Sequence, residues 1–355
     1  MTRSDRKTRP ESWALGAAVL LALPFLRPPT AEAQEAASAP YDSLGTIEVT
    51  DDRFRDLIPE DSRLEILASG FEWTEGPVWW PDRQTVLFSD IPRNTVFAWT
   101  EDGGLEPFLK PSGYTGTDAF TGQEPGSNGL IFDDEGRLLL CQHGDRRVAR
   151  LNDDQTFETL ASSYEGKRLN SPNDAVFKSD GSLYFTDPPY GLPQNVDDPG
   201  KELPFQGVYR LAPDGTLTLL TDQMTRPNGI AFSPDESTLY VANSDPERAI
   251  WMAFPVKDDG TLGEGEVFAD VTDRVGREKG LPDGMAVDTD GNLFATGPGG
   301  VLIFAPDGTH LGTLKTGEAT ANCAFGGDDG TVLYVTADMH FCRIQTATKG
   351  LGFDD

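Results

Sequence analysis

Basic residues are scarce in this sequence. Its 355 residues include 29 Lys and Arg against 58 Asp and Glu, which gives a formal net charge of −29. A surface of that sign repels nucleic acid and anionic lipid headgroups, so neither is expected as a partner. Neutral small molecules and cations remain as the ligands that this charge favours.

Cysteine is also rare, and the three cysteines allow at most one disulfide. Cys323 and Cys342 are predicted to lie on two strands of one sheet with a third strand between them, roughly 10 Å apart. That separation exceeds the reach of a disulfide, so we expect none between them.

A long hydrophobic run is missing. The apolar stretch at 13–26 contains Pro24 and has 14 residues, whereas a membrane span needs roughly 20. The stretch follows a basic start and precedes Ala31-Glu32-Ala33, which is typical of a signal peptide and favours that interpretation over a membrane anchor. We predict a cleaved signal peptide over residues 1–33, a leader or linker over 34–59, and a periplasmic or secreted mature chain without a membrane span.

Six copies of one pattern organise the rest of the chain. Each copy has a residue with a side-chain oxygen, usually followed by Gly, then a short apolar strand, a turn rich in Asp and Gly, and a second apolar strand. Periods near 45–50 residues with several short strands are typical of β-propellers. The sequence therefore predicts an all-β fold over residues 60–355, a single six-bladed β-propeller of four-stranded antiparallel blades. The copies begin at Glu75, Asn128, Asn173, Asn228, Asp283 and Asn322, with spacings of 53, 45, 55, 55 and 39 residues.

The ring of blades needs a closing strand. The last copy ends near Gln345, after its third strand, while the β-prone segment Leu64–Leu67 has no place in the repeat. We expect this N-terminal segment to complete the sixth blade, because closure removes exposed strand edges. Tight hairpins are predicted on one face of the propeller, and the long loops on the other face are expected to form the functional mouth.

The first residue of each copy begins the innermost strand, so the six side chains are expected to converge on the propeller axis. All six carry oxygen and none is His or Cys, which favours a hard cation that takes many oxygen ligands. Glu75 and Asp283 supply two negative charges that a divalent ion would balance. Two alternatives stay open: the Asn-Gly and Asp-Gly pairs only start turns, or an ion only stabilises the channel.

Polar residues at the ends of the second strands form a second tier near the mouth. His143 and Asp187 belong to this tier, and their side chains are expected to face the channel. His143 is interpreted as a substrate-binding residue, with a structural hydrogen-bonding role as the alternative. Three tryptophans of the first blade either stack on a sugar or pack between blades: Trp73, Trp79 and Trp80.

Several segments resemble the signature of a known family. Glu75-Gly-Pro-Val-Trp, Arg226-Pro-Asn228-Gly and Leu281-Pro-Asp283-Gly-Met resemble segments of the senescence-marker-protein-30/gluconolactonase/luciferin-regenerating-enzyme-like family, above all its bacterial gluconolactonases. The resemblance implies a calcium-dependent six-bladed propeller that opens sugar lactones. It assigns Glu75, Asn173, Asn228 and Asp283 as metal ligands, and Asp283 also as the base.

The predicted function is therefore a calcium-dependent hydrolase of sugar lactones, with Zn²⁺, Mg²⁺ or Mn²⁺ as possible replacements for calcium. Such a cation polarises the lactone carbonyl and acidifies water, and the lack of a Gly-x-Ser-x-Gly elbow favours direct attack by water. Asp283 and, in reserve, Asp187 are the candidate catalytic carboxylates, and Asn128 and His143 the candidate substrate-binding residues.

Two classes of alternative function remain. One is another lactonase, arylesterase or phosphotriesterase on the same metal site, and the other is a metal-stabilised propeller that only binds. The expected partner is a small lactone, and the chain is expected to be a monomer or a weak oligomer.

Overall fold

The computed structural model describes residues 41–353. These residues form six antiparallel sheets of four or five strands, each of which is one blade of a propeller, and one small two-stranded sheet. Within the blades consecutive strands pair, except where two N-terminal strands join blades five and six. The predicted all-β, six-bladed fold is therefore confirmed. The signal peptide expected over residues 1–33 lies outside the described residues.

Blades one to three follow one another without exchange of strands. Blade one consists of Thr74–Trp80, Thr85–Asp90, Thr95–Thr100 and Gly104–Leu109. Blade two consists of Ser127–Phe132, Leu138–Gln142, Arg147–Leu151 and Phe157–Ala161. Blade three consists of Ala175–Phe177, Leu183–Asp187, Gly207–Leu211 and Leu217–Thr221, and a small hairpin of Ser163–Tyr164 and Lys167–Arg168 precedes it.

Blades four to six complete the ring. Blade four consists of Pro227–Phe232, Thr238–Asp245, Arg248–Pro255 and Glu266–Asp270. Blade five contains Met285–Val287, Leu293–Gly297, Gly300–Phe304 and His310–Lys315. Blade six contains Thr320–Gly326, Val332–Ala337 and His340–Gln345. The described helices are short: Phe54–Leu57 is α-helical, and Pro81–Arg83, Asn195–Asp197 and Thr272–Arg274 are 3₁₀-helical.

An N-terminal strand closes the ring, as the sequence predicts. Glu65–Ser69 pairs antiparallel with His340–Gln345, so the outermost strand of blade six comes from the start of the described chain. Because the closing strand joins the two ends of the chain in one sheet, the last blade cannot separate without breaking its hydrogen bonds.

The leader expected over residues 34–59 differs from the structure in its second half. Thr46–Val49 pairs with His310–Lys315 as a fifth strand of blade five, and Phe54 and Leu57 of the short helix are buried in the core beside blades five and six. The segment was too short for its apolar alternation to indicate a strand. The folded domain therefore begins before residue 60.

Aromatic packing between the blades fills the core near the ring closure. Phe88 of blade one stacks on Phe341 of blade six with ring centroids 4.3 Å apart, and Trp79 stacks on Tyr334 at 6.1 Å. Trp80 contacts Phe132 of blade two at 5.1 Å. Trp79 and Trp80 thus pack between blades, which was one of the two roles considered for them.

All three cysteines are buried and free. The strand Val332–Ala337 separates Cys323 from Cys342, with Val335 paired to both. The predicted placement of these two cysteines on strands separated by a third is therefore confirmed. No helix among residues 41–353 has the length and apolarity needed to cross a membrane.

Candidate functional site

Five of the six residues that begin the repeats meet in one cavity at the long-loop face. The cavity has a volume of about 350 Å³. It is lined near the axis by Glu75, Asn128, Asn173, Asn228 and Asp283. The sequence reasoning therefore found the residues that the fold brings together, and their roles stay predictions.

Backbone hydrogen bonds fix the start of each inner strand. The amides of Asn173 and Asp283 donate to Thr186 O at 2.9 Å and to Thr296 O at 3.0 Å within their own blades. The residue that begins each inner strand is called the axial residue. A side-chain hydroxyl on the second strand of one blade donates to the carbonyl oxygen of the axial residue of the next blade, as Ser89 Oγ does to Asn128 O at 2.9 Å. The side chains are thus aimed at the axis by main-chain bonds that do not depend on a ligand.

The glycine that follows the axial residue lets neighbouring blades approach closely. A Cβ at Gly229 would lie 2.2 Å from Asp283 O, and one at Gly76 would lie 2.3 Å from Asn128 O. Real Cβ contacts are never this short, so a side chain at either position would push the next inner strand away. The recurrent Gly is therefore a packing requirement of the ring.

Asn322 does not point into the cavity, which corrects the expected ring of six. Thr296 Oγ1 donates to Ala321 O at 2.8 Å, as Thr186 Oγ1 does to Asn228 O at 2.7 Å. Ala321 therefore occupies the axial position of blade six, and Asn322 occupies the position that is Gly in four other blades. The sixth copy was aligned one residue too late because it lacks that Gly.

Asp174 of blade three and Asn322 of blade six form a floor beneath the cavity. Blades three and six lie on opposite sides of the ring, and both residues line a second cavity of about 650 Å³ towards the hairpin face. Burial raises the pKa of Asp174 to about 7, although the amides of Ala175 and Ile230 and the side chain of Asn322 donate hydrogen bonds that lower it. The two side chains thus meet across the axis and separate the two cavities.

Glu75 and Asp283, the two carboxylates nearest the axis, have no cationic partner among the described residues. Glu75 is 2% exposed, and no Lys, Arg or His of the described residues forms an ion pair with Glu75 or Asp283. Burial raises the pKa of both groups, and the charge of Glu75 raises that of Asp283 further. Two such groups are costly to ionise together unless a cation lies between them.

Unpaired polar atoms surround the same space. Asn128 Oδ1, Asp283 Oδ1 and Asn173 Nδ2 are buried and have no hydrogen-bonding partner, and a half-turn of the Asn173 carboxamide exchanges its nitrogen for its oxygen. No group of three or more His, Cys, Asp or Glu side chains within residues 41–353 could hold a metal ion. The donor set is therefore two carboxylates and three carboxamides, which suits a hard divalent cation.

His143 lies behind the cavity wall and does not line it. Its side chain is fully buried, and its Nδ1 lies 2.9 Å from Glu124 Oε2. Glu124 itself lines the cavity. The loop before blade two therefore brings Glu124, and not His143, to the cavity wall, and the substrate-binding role of His143 stays a prediction.

Asp187, the reserve catalytic carboxylate, also lies outside the residues that line the cavity, and its catalytic role stays a prediction. It is fully buried, and the amide of Asn170 donates to its Oδ2 at 2.8 Å. Burial raises its pKa to about 7, while the amides of Asn170 and Ser171 lower it. The segment that precedes blade three, at Asn170 and Ser171, binds the carboxylate through its backbone amides, which the spacing of the turns does not indicate.

The mouth carries residues that the sequence reasoning did not assign. Glu124, Tyr190, Arg226 and Ser244 all line the cavity. Arg226 lies within a segment that carries the family resemblance, so a signal for it was present. Glu124 comes from a loop outside the repeat, and nothing in the spacing indicates it.

Comparisons with known proteins agree with this architecture. The model of the SMP-30/Gluconolactonase/LRE-like region matches residues 73–338. The chain is 38% identical over 314 residues to a gluconolactonase of Zymomonas mobilis, covering 87% of this chain and 88% of that protein. It is 30% identical to the pentonolactonase XacC of Haloferax volcanii, covering 74% and 80% of the two chains. The solved structure of a gluconolactonase from Xanthomonas campestris superimposes with a TM-score of 0.74 at 34% identity, covering 86% and 96% of the two chains.

Proposed function

The chain belongs to the SMP-30/gluconolactonase/LRE-like family, and we propose that it is a lactonase that opens sugar lactones with water at a divalent-cation site. The observation that carries the proposal is the convergence of Glu75, Asp283 and three carboxamides on one open cavity, where no Lys, Arg or His of the described residues forms an ion pair with either carboxylate. D-Glucono-1,5-lactone is the first substrate to test, because the relatives include gluconolactonases.

The residues present fit a calcium ion. Glu75, Asn173, Asn228 and Asp283 would hold it, since they line the cavity with the carboxylate and carboxamide groups whose oxygens this ion prefers, and Asp283 Oδ1 has no hydrogen-bonding partner. When bound, such a cation stabilises negative charge on a carbonyl oxygen and acidifies water. The same oxygen set also accepts Mg²⁺ or Mn²⁺, whereas Zn²⁺ would find no nitrogen or sulfur ligand there.

The other residues of the cavity position the substrate. Asn128 presents an unpaired carboxamide oxygen to the cavity, so it can accept a hydrogen bond from a lactone hydroxyl group. Tyr190 and Ser244 add hydroxyl groups around the mouth, which suits a polyhydroxylated ring. Glu124 and Asp283 border the same space, so water attacking the carbonyl carbon has carboxylates available to accept its proton.

The test is hydrolysis of D-glucono-1,5-lactone by the purified protein before and after chelation. We expect chelation to abolish turnover and added Ca²⁺ to restore it. Asp283→Ala should lower kcat/KM by at least about a hundredfold, because it removes a ligand and a charge beside the reacting carbonyl. Full activity of the chelated protein would refute the role of the cation. A panel of aryl esters, phosphotriesters and non-sugar lactones, each slower than the sugar lactone, would support the substrate class.

A further inference from the structure

The reaction needs a proton acceptor that the cation does not occupy. A carboxylate that binds a divalent ion is a weaker base, because the ion stabilises its charged form. Asp283 is one of the proposed ligands, so it is a poor candidate for both roles at once. The cavity contains one further carboxylate outside the ligand set, that of Glu124.

Glu124 reaches the cavity from the loop between blades one and two. Its side chain is 31% exposed, so water and substrate can touch it. Its charge also contributes, after burial and closer charges, to raising the pKa of Glu75 and Asp283. Glu124 is therefore electrostatically close to the place where the lactone carbonyl would lie.

His143 holds this carboxylate from behind. Its Nδ1 lies 2.9 Å from Glu124 Oε2, which leaves Oε1 without a hydrogen bond among the described residues. The backbone of His143 is itself fixed: its amide donates to Gly126 O at 3.1 Å, and a Cβ at Gly191 would lie 2.6 Å from its carbonyl oxygen. The ring therefore has little room to turn away from Glu124.

The second ring nitrogen of His143, Nε2, indicates that the residue does more than fill space in the core. The side chain is fully buried, yet Nε2 has no hydrogen-bonding partner. With the proton on Nδ1, the imidazole donates to Glu124 and leaves Nε2 as an unsatisfied acceptor, which a purely structural histidine rarely tolerates. This arrangement is typical of a catalytic carboxylate, here Glu124, that a neighbouring side chain, here His143, holds in one orientation.

We propose that Glu124 is the catalytic carboxylate that accepts the proton of the attacking water, and that His143 is the positioning residue that orients it. This inference rests on the proposed lactonase function. The water O–H bond breaks as the new C–O bond forms, and the proton moves to Glu124. When the ring C–O bond breaks, Glu124 returns the proton to the leaving ring oxygen. The hydroxy acid then departs and Glu124 is again a carboxylate.

The experiment compares Glu124→Gln with the wild-type protein. Steady-state hydrolysis of D-glucono-1,5-lactone should show kcat lowered by at least about a hundredfold with KM within about threefold, as expected for a lost general base. Calcium affinity, measured by calorimetry, should be unchanged. Glu72→Gln is the matched control, because Glu72 is exposed, does not line the cavity and pairs with Arg93; it should keep wild-type kcat.

Two variants of His143 test the positioning role. His143→Leu removes the donor to Glu124 and should lower kcat by about tenfold or more at unchanged KM. His143→Asn places an amide N–H close to the position of Nδ1–H and should restore most of that loss. Recovery in the Asn variant would not be expected if the histidine only filled space.

The outcomes separate this inference from the proposed function. A Glu124→Gln variant with normal kcat and raised KM would make Glu124 a substrate-binding residue and overturn the inference. Loss of calcium affinity in that variant would place Glu124 among the ligands and overturn it as well. In both cases the wild-type protein would still hydrolyse lactone, whereas a wild-type protein inactive on lactones overturns the proposed function itself.

Discussion

Replacing Gly229 by Ala tests whether the close approach of inner strands positions the metal ligands. A Cβ at this position would lie 2.2 Å from Asp283 O and 2.7 Å from Gly284 Cα, whereas ordinary contacts begin at 3.4 Å. The strand that carries Asp283 must therefore move by more than about 1 Å. Overpacking of this kind costs about 1–3 kcal/mol, and metal sites tolerate displacements of only about 0.2 Å.

We expect the Gly229→Ala protein to unfold at a lower urea concentration than the wild-type protein when both are in chelator. We also expect it to bind Ca²⁺ at least about tenfold more weakly, because the displacement of Asp283 exceeds the tolerance of a metal site. Urea titration measures the first effect and calorimetry the second. Gly263→Ala is the control, since the nearest atom to its added Cβ is 3.3 Å away on Pro255, and it should change neither quantity appreciably.

Normal stability and normal calcium affinity in Gly229→Ala would refute the packing argument. Lower stability with normal calcium affinity would also contradict it, because the clash would then be relieved without moving Asp283. Only a joint loss agrees with a ligand held in place by the neighbouring glycine.

Two further predictions concern the buried carboxylates. In the metal-free protein the pKa of Glu75 is raised from 4.5 to about 8, so the folded state holds a proton that the unfolded chain has lost. The free energy of unfolding in chelator should therefore fall as the pH rises from about 5 to 8, and Ca²⁺ should remove this fall in urea titrations; a flat profile in chelator would contradict it. Asp187→Asn should keep kcat within about threefold, because Asp187 lies outside the cavity that would hold the lactone; a hundredfold loss would support it as the catalytic carboxylate.

The repeat predicted the blades and five of the axial residues because both depend on local chemistry. The turn residues fix the hairpins, and the oxygen-bearing residue before Gly marks the start of each inner strand. Glu124 could not be found in this way, because it lies in a loop whose path depends on its neighbours. His143 and Asp187 were placed at the correct strand ends, but the loops that cover them decide which way their side chains face.

Two blades depart from the repeat at the position after the axial residue, and this departure indicates how the channel is closed. Gly follows the axial residue in four blades, where the next inner strand approaches too closely for a side chain. Blades three and six carry Asp174 and Asn322 there instead, and these blades lie opposite each other. Two side chains that face across the axis can share the space that Gly leaves empty in the other blades. An Asp or Asn at the Gly position of two opposite blades therefore predicts a closed channel floor, and an axial site that opens only towards the long loops.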